Sequence, residues 1–270
     1  MSENSLQRIE MKFLLDAERS AQVKSWAREH LDSDAHCNSE SDDSYDINTL
    51  YLDTPELDLF HRTGVVGNSK HRIRRYGNDA MLWLETKRKK QLVVRKNRTP
   101  VSPDDLTPRL TAISAGTADQ ASPNTEHPAW CGDWFLQRVT ERHLLPAIQI
   151  AYRRFARTRV VGQETLRLTI DSQMKARPID GWNVATESGA PLCPAVSFGH
   201  YEVLELKFHD QMPSLFKQLL TQFVIPGTGF SKYRAALVAT DIVPEIPHSL
   251  YRAIAAAPQQ QHASEYTLDA

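Results

Sequence analysis

The chain has 270 residues, of which 41% are hydrophobic and 24% are charged, so it can build a sizeable core and is not wholesale disordered. It has 32 Lys and Arg against 33 Asp and Glu, which gives a net charge of −1. This balance excludes a uniformly basic protein that coats nucleic acid and a protein dominated by an acidic tail. Its three cysteines stand far apart, which argues against a disulfide framework and favours a reducing compartment. We therefore expect a cytoplasmic protein with no signal peptide and no membrane span of its own.

The first half of the chain is predicted to consist mostly of strands. Alternating apolar and polar residues predict a strand at 6–15, and Asp16 is the expected N-cap of a helix over 16–31. Residues 32–44 are rich in Ser and Asp, which predicts a loop. A short helical turn is expected around Leu59. Further strands are predicted at 46–52, 69–76, 80–88 and 91–99.

The second half is predicted to mix helices and strands. Residues 112–128 are rich in Ala, Ser, Thr, Asn and Pro, which predicts a long flexible loop, and 177–198 is also loop-like. Beyond Pro244 the composition predicts a disordered tail over 244–270. The predicted helices lie at 130–142, at 211–223 and near Ser231. The predicted strands lie at 146–160, 164–172 and 199–208.

Several predicted strands carry charged residues on one face and apolar residues on the other. Residues two apart in a strand point to the same side. The charged faces hold Arg8, Glu10 and Lys12; Arg72 and Arg74; Glu85 and Lys87; Lys96 and Arg98; Arg167, Thr169 and Asp171; and Glu205 and Lys207. This periodicity leaves two alternatives open. The charged face either meets water, or lines the interior of a closed sheet whose apolar outer face is covered by helices.

The charged residue types indicate which ligand such an interior would bind. Arg and Lys in number favour a polyanion, since guanidinium groups match phosphate oxygens. Glutamates beside a bare polyanion would repel it, but they fit a hard divalent cation held between carboxylate and phosphate. Glu10, Glu85 and Glu205 are therefore candidate ligands for Mg²⁺ or Mn²⁺. The alternative for each glutamate is a salt bridge to a neighbouring lysine.

The segment Arg-Ile-Glu-Met-Lys-Phe at 8–13 resembles the opening Glu-x-Lys strand of the CYTH-like triphosphate tunnel metalloenzymes. The chain is more closely similar to the catalytic domain of the vacuolar transporter chaperone (VTC) polyphosphate polymerases, over about residues 6–240. The further matching segments are Asn-Thr-Leu-Tyr-Leu-Asp-Thr at 48–54, Lys-His-Arg-Ile-Arg-Arg-Tyr-Gly at 70–77, Leu-Trp-Leu-Glu-Thr-Lys-Arg-Lys at 82–89, Ala-Tyr-Arg-Arg-Phe at 151–155, Arg-Leu-Thr-Ile-Asp at 167–171, Val-Leu-Glu-Leu-Lys-Phe at 203–208 and Phe-Ser-Lys-Tyr-Arg at 230–234.

The resemblance implies an α+β fold: a closed antiparallel β-barrel, the triphosphate tunnel, with helices packed on the outside. It implies one such domain over 1–243. Carried over by motif position, the catalytic residues are Arg72, Arg74, Lys87 and Arg153, the substrate-binding residues are Lys12, Lys96, Arg98, Lys207 and Lys232, and the metal ligands are Glu205, Glu85 and Glu10. Arg153 and Arg154 are adjacent, so only one of them can face the tunnel, and Arg153 matches the family position better.

The resemblance implies a metal-dependent phosphotransferase that builds polyphosphate from the γ-phosphate of a nucleoside triphosphate inside a basic tunnel, with Mn²⁺ or Mg²⁺ as cofactor. Many hydrolytic tunnel enzymes have glutamate where this chain has Arg8, which favours binding of a phosphate chain over hydrolysis. The alternatives are a tripolyphosphatase or nucleoside triphosphatase, and a non-catalytic polyphosphate sensor. A membrane-protein partner, and hence a peripheral location, is compatible with each. Segment 87–98 is basic but has no interleaved aromatic residues, so no nucleic-acid partner is expected.

Overall fold

A computed structural model describes residues 8–37, 42–64, 66–77, 79–90, 93–116, 130–177, 179, 181–184, 195–227 and 229–243. The predicted tail at 244–270 and most of the predicted loop at 112–128 lie outside these residues. The chain divides into two compact units. The first unit comprises Met1–Tyr45, Tyr152–Met174 and Ser197–Ala270, and the second comprises Asp46–Ala151 and Lys175–Val196.

Strands dominate both units. The strands are β1 (Arg8–Leu15), β2 (Asp32–Ser33), β3 (Ser44–Asp53), β4 (Ser69–Tyr76), β5 (Leu82–Lys90), β6 (Val93–Val101), β7 (Leu145–Val161), β8 (Glu164–Arg177), β9 (Val196–Ser197) and β10 (Glu202–His209). The helices are α1 (Ala17–His30), α2 (Asp58–His61), α3 (Pro103–Ser114), α4 (Asp133–Glu141), α5 (Ser214–Gln222) and α6 (Lys232–Ala239). Within the described residues, none of these helices combines the length and the hydropathy that crossing a membrane requires.

The strands follow the order β1-β10-β8-β7-β3-β4-β5-β6, with β2 beside β7 and β9 beside β8. The pairs β1–β10, β10–β8, β2–β7, β3–β4, β4–β5 and β5–β6 are all antiparallel. The predicted α+β class with a large antiparallel sheet is therefore confirmed. The predicted closure into a barrel is wrong: β1 and β6 end the order, and no pairing joins them among the described residues. Alternation reports which face of a strand is apolar, and an open sheet satisfies it as well as a closed one.

In the first unit, α1 and α5 cover the apolar face of the strands. Asp16 caps α1 as predicted, because its side chain accepts a hydrogen bond from the backbone N–H of Arg19 at 2.7 Å. The core beneath these helices joins Phe13 and Leu15 of β1, Leu166, Leu168 and Ile170 of β8, Leu204, Leu206 and Phe208 of β10, Val23, Trp26, Ala27 and Leu31 in and after α1, and Phe216 and Leu219 of α5. The intervening residues of these strands consequently project from the opposite face.

In the second unit, Leu50, Ile73 and Leu84 form a buried row across β3, β4 and β5. Helix α4 packs on β5 and on α3. Helix α3 was not predicted, and it overlaps the start of the predicted loop at 112–128. It begins where Ser102 accepts a hydrogen bond from the N–H of Asp104, with Pro103 in the first turn, where its missing N–H costs nothing.

Two segments predicted as loops contain short strands. The predicted loop at 32–44 includes β2 and the start of β3, and the one at 177–198 includes β9. A strand of two residues is too short to show an alternating pattern of apolar and polar residues. It forms because a neighbouring strand is available to pair with it, which the local sequence does not reveal. The remaining predicted helices and strands in the described residues match in type, with ends that differ by a few residues.

Candidate functional site

The first unit carries a buried charged cluster on the face opposite helices α1 and α5. Register places Lys12 of β1 beside Glu205 of β10, and Glu205 beside Thr169 of β8. Lys207 lies two residues along β10, so it shares the face of Glu205. We call the group Lys12, Arg154, Asp171, Glu205, Lys207 and Lys232 the first cluster.

Glu205 is the centre of the first cluster, with only 6% of its side chain exposed. Its Oε1 lies 3.1 Å from Lys12 Nζ and 3.5 Å from Lys232 Nζ. Its Oε2 lies 2.8 Å from Lys207 Nζ and 3.8 Å from Arg154 Nη2. Glu10 joins at the edge, where its Oε1 is 3.5 Å from Lys12 Nζ.

Asp171 is the second carboxylate of the first cluster and is completely buried. Arg154 binds it with two parallel hydrogen bonds, from Nε to Oδ1 at 2.6 Å and from Nη2 to Oδ2 at 2.7 Å. Lys232, the first residue of α6, brings its Nζ to 2.5 Å from Asp171 Oδ2. The ring of Tyr152 lies beneath both cations, 5.5 Å from Arg154 Cζ and 5.1 Å from Lys232 Nζ.

The cations keep both carboxylates of the first cluster ionised. Burial by itself raises the pKa of Glu205, but Lys12, Lys207, Lys232 and Arg154 hold that pKa well below its usual range. Burial also opposes ionisation of Asp171, and Arg154 and Lys232 reverse the effect and lower its pKa. Burial lowers the pKa of Lys207 to about 8, although Glu205 and Glu10 favour its charged form.

The second unit carries its own charged face, on strands β4, β5 and β6. Register arranges this face as rows across the three strands. The rows are Lys70, Lys87 and Lys96; then Arg72, Glu85 and Arg98; then Arg74, Trp83 and Pro100. Tyr76 extends the face by two further residues along β4. The opposite face carries Ile73 and Leu84 and packs under the helices.

Glu85 is the only carboxylate in these three rows, and its side chain is fully buried. Arg72 approaches its Oε2 with Nε at 2.7 Å and Nη2 at 2.6 Å, and Arg74 Nη1 lies 3.8 Å from the same oxygen. Its Oε1 lies 3.1 Å from Lys96 Nζ and 3.3 Å from Arg98 Nε, and accepts a hydrogen bond from Tyr76 at 3.3 Å. We call Glu85, Arg72, Arg74, Lys96 and Arg98 the second cluster. Burial raises the pKa of Glu85, but Arg72, Arg74 and Lys96 outweigh it and hold the pKa far below its usual range.

The structure brings most of the predicted site residues into these two clusters. Lys12, Glu205, Lys207 and Lys232 meet in the first cluster, with Glu10 at its edge. Arg72, Arg74, Glu85, Lys96 and Arg98 meet in the second, with Lys87 in the neighbouring row. Their roles in binding or catalysis stay predictions.

The adjacent pair Arg153 and Arg154 is placed differently from the expectation. Arg154 reaches Asp171, whereas the prediction favoured Arg153. Phe155 belongs to the apolar core, and alternation along β7 places Arg153 on the side of Phe155 and Arg154 on the side of Tyr152. The geometry thus favours Arg154 as the arginine of the first cluster.

Asp171 was missed as a functional candidate. The alternation of Arg167, Thr169 and Asp171 predicts that Asp171 lies on the charged face of β8. It does not predict that Asp171 is completely buried. Lys70 was missed as well, and only register across β4 and β5 reveals that it lies beside Lys87.

A hard divalent cation fits the donor chemistry of the first cluster. Within the described residues, no three His, Cys, Asp or Glu side chains gather as a metal-binding group. Mg²⁺, however, typically binds through one or two carboxylates together with substrate phosphates. Asp171 and Glu205, which both contact the ammonium of Lys232, are the two carboxylates that would hold such a cation.

The large antiparallel sheet and the helices define an α+β protein, and each of its two units carries a cluster of cations around buried carboxylates. The VTC domain model matches residues 7–240, and the chain belongs to this family. The predicted resemblance is thereby confirmed. A search of curated protein sequences finds no match.

Three solved structures are similar to this chain at low sequence identity. A putative adenylyl cyclase from Hippeastrum, described as having a dominant triphosphatase activity, has a TM-score of 0.47 and 17% identity, covering 89% of this chain and 98% of that one. A putative adenylate cyclase from Bacillus halodurans has a TM-score of 0.45 and 15% identity, covering 84% and 96%. A protein from Pyrococcus horikoshii OT3 has a TM-score of 0.41 and 10% identity, covering 87% and 98%. At such low identities, the family match remains the basis of the classification.

Proposed function

We propose that the chain is a metal-dependent phosphotransferase that builds polyphosphate from the γ-phosphate of a nucleoside triphosphate. Membership of the VTC family supports an enzyme that acts on triphosphates. One observation carries the proposal: in each cluster, the cations outnumber the carboxylates that they contact. Four cations meet Asp171 and Glu205 in the first cluster, and four meet Glu85 alone in the second.

A cluster with more cations than carboxylates carries excess positive charge, and taking any of these cations out of water costs hydration free energy. A ligand with many negative oxygens offsets that cost, and arginine forks match phosphate oxygens. Three arginines lie within 4 Å of Glu85 in the second cluster. Arg72 and Arg74 belong to β4, and Arg98 belongs to β6. A triphosphate or a phosphate chain is the anion that best suits several cations spaced along strands.

Phosphoryl transfer needs positioning and charge neutralisation more than it needs a protein nucleophile. An oxygen of phosphate, or of a polyphosphate terminus, attacks the γ-phosphorus. The bond from that phosphorus to the β–γ bridging oxygen breaks, the nucleoside diphosphate leaves, and the chain is one phosphate longer. Arg72, Arg74 and Lys96 would hold phosphate oxygens, as would Lys12, Lys207 and Lys232. A divalent cation held by Glu205 and Asp171 would supply further neutralisation of phosphate charge.

The test incubates the purified protein with ATP and Mn²⁺, and assays polyphosphate on a stained gel beside free phosphate in solution. Long chains support the proposal. Free phosphate without chains would replace it with a triphosphatase that uses water as acceptor. Bound ATP with neither product would leave a non-catalytic sensor.

Variants connect the activity to the clusters. Glu205→Gln and Arg74→Ala should each lose most of the activity while remaining folded. The matched control is Lys24→Ala, because Lys24 also pairs with a carboxylate, Glu202 at 2.7 Å, but projects from α1. Full metal-dependent activity in both cluster variants would show that the reaction takes place elsewhere.

A further inference from the structure

An arginine stacks on a tryptophan at one end of the charged face of the second unit. Arg98 Cζ lies 3.6 Å from the centre of the Trp83 ring and 4.9 Å from that of Tyr76. The two rings are nearly perpendicular, at 83°. Register places Trp83 beside Arg74 and Pro100, one row beyond Glu85.

The stacked pair is held in place and remains accessible. Trp83 Nε1 donates to Asp79 Oδ2 at 3.2 Å, and the other oxygen of Asp79 accepts from the N–H of Met81 at 3.0 Å. Arg98 Nε contacts Glu85 at 3.3 Å. Even so, 29% of the Arg98 side chain is exposed, and Trp83 is half-buried. A platform that is fixed at its edges and partly open suits stacking by a planar ligand.

The face has a direction along its strands. The aromatic residues lie at one end, and the row Lys70, Lys87 and Lys96 lies at the other. Trp83 and Lys87 are four residues apart on β5, which spans about 14 Å at ~3.4 Å per residue. Between them stand Arg72 and Arg98, which contact Glu85. A π-surface followed by arginines and then lysines matches a ligand with a planar ring at one end and phosphates at the other.

We propose that Trp83, with Arg98 stacked on it, binds the base of the nucleoside triphosphate. The inference rests on the proposed function and adds a subsite that recognises the nucleoside part of the substrate. Every base has a π-face, so stacking discriminates little among bases. It distinguishes a nucleoside triphosphate from the same triphosphate without a base. The phosphates then extend toward Lys87 and Lys96.

The test compares two ligands that differ only in the base, ATP and ribose 5′-triphosphate, with inorganic tripolyphosphate as a third probe. Dissociation constants are measured by calorimetry on the full chain, at one fixed salt and Mn²⁺ concentration. The wild-type protein should bind ATP about tenfold more tightly than ribose 5′-triphosphate, the range expected for one stacked base. Equal affinity for the two ligands would overturn the inference without any variant.

Variants then locate the effect. Trp83→Leu should weaken ATP binding about tenfold and leave tripolyphosphate binding within about twofold, whereas Trp83→Phe should retain most of the ATP affinity because it keeps a ring. The matched control is Trp134→Leu. Trp134 also carries a stacked arginine, Arg138 at 4.9 Å, but lies on α4 and donates to Thr99, so ATP binding should not change.

The outcomes separate this inference from the proposed function. If tripolyphosphate binds and Trp83→Leu loses no ATP affinity, the phosphate site is supported and the base subsite is overturned. An equal loss for ATP and tripolyphosphate in that variant also overturns it, because the effect is then on the phosphate site. No binding of any of the three ligands by the wild-type protein overturns both.

Discussion

Asp171 shows how much a single buried carboxylate can contribute to this fold. Both of its oxygens are bound by Arg154, and Lys232 contacts one of them. Asp171→Asn would take the nearer of two carboxylates away from the buried cations Arg154 and Lys232, and breaking a buried pair typically costs about 3–5 kcal/mol. We expect a loss of this size in the free energy of unfolding, measured by urea denaturation.

The control for that experiment is Asp42→Asn. Asp42 pairs with Arg28 at 2.7 Å, but 82% of its side chain is exposed, so its removal should change stability little. Equal losses in the two variants would contradict a special role for the buried pair. Asn is also well tolerated at the positive φ of Asp42, 50°, so the control introduces no backbone strain.

His71 should make the protein sensitive to mild acid. Its ring is fully buried on the helix-covered face of β4, and Arg142 Nη1 lies 3.1 Å from its Nε2. Burial, reinforced by Arg142 and Arg138, lowers the pKa of His71 from 6.5 to about 4. The unfolded chain therefore binds more protons than the folded one between pH 4 and 6.5, so stability falls as the pH falls through that window.

The expected loss from His71 is about 3 kcal/mol between pH 6.5 and pH 4. His71→Gln removes the titration, so the variant should lose less stability than the wild type over the same interval. Chemical denaturation of both proteins at several pH values measures the difference. Parallel pH profiles for the two proteins would rule out this assignment.

At the scale of the element, Asp53 holds helix α2 together. The helix has four residues and is flanked by Leu57 and Arg62, whose φ angles of 57° and 61° are left-handed. Asp53 Oδ1 accepts from the N–H of Thr54 and of Leu59, both at 2.8 Å, and Oδ2 accepts from Phe60 at 3.2 Å. These three hydrogen bonds explain why an aspartate stands near the end of the segment 48–54.

Asp53→Ala would leave three backbone N–H groups without their acceptor, in a site where Asp53 itself is 1% exposed. We expect a loss of about 2 kcal/mol or more in the free energy of unfolding, and faster hydrogen exchange at Leu59 and Phe60. Asp53→Asn keeps one acceptor oxygen, so its free energy of unfolding should lie between those of the wild type and Asp53→Ala. Unchanged exchange in Asp53→Ala would refute the capping role.

The sequence predicted the elements whose cause is local. Alternation identified the charged faces of β1, β5 and β10, and Asp16 marked the start of α1, because side-chain direction and capping depend on neighbouring residues. Sheet closure depends on which distant strands pair, so alternation could not predict it. The choice between Arg153 and Arg154 depends on which of them faces Asp171, which lies 17 residues beyond Arg154 along the chain, and motif position alone was insufficient.

At the scale of the whole molecule, charge is balanced globally but not locally. The net charge is −1, yet each cluster holds more cations than carboxylates. A polyanion that binds only the folded state stabilises it, by about 2.7 kcal/mol at a hundredfold excess over Kd. Tripolyphosphate should therefore raise Tm by roughly 5–10 °C.

The increase in Tm is measured by thermal melting in the presence of tripolyphosphate, with sodium sulfate at the same ionic strength as the control. Sulfate offers fewer charges per molecule and should give a smaller increase. Higher salt should reduce the effect of tripolyphosphate, because mobile ions screen the partly exposed Lys96 and Arg98. Equal increases for both anions would indicate a general salt effect.

The open sheet gives the basic residues of β6 a second role. One side of the β6 backbone has no strand partner among the described residues, and such an edge is a template on which another chain can add a strand and aggregate. Arg95, Lys96 and Arg98 are exposed along this edge strand, and Pro100 has no N–H to offer. Like charges on two molecules repel, so the cations that would attract phosphate also prevent edge-to-edge association. Neutralising them, by mutation or by a tightly bound polyanion, removes that protection.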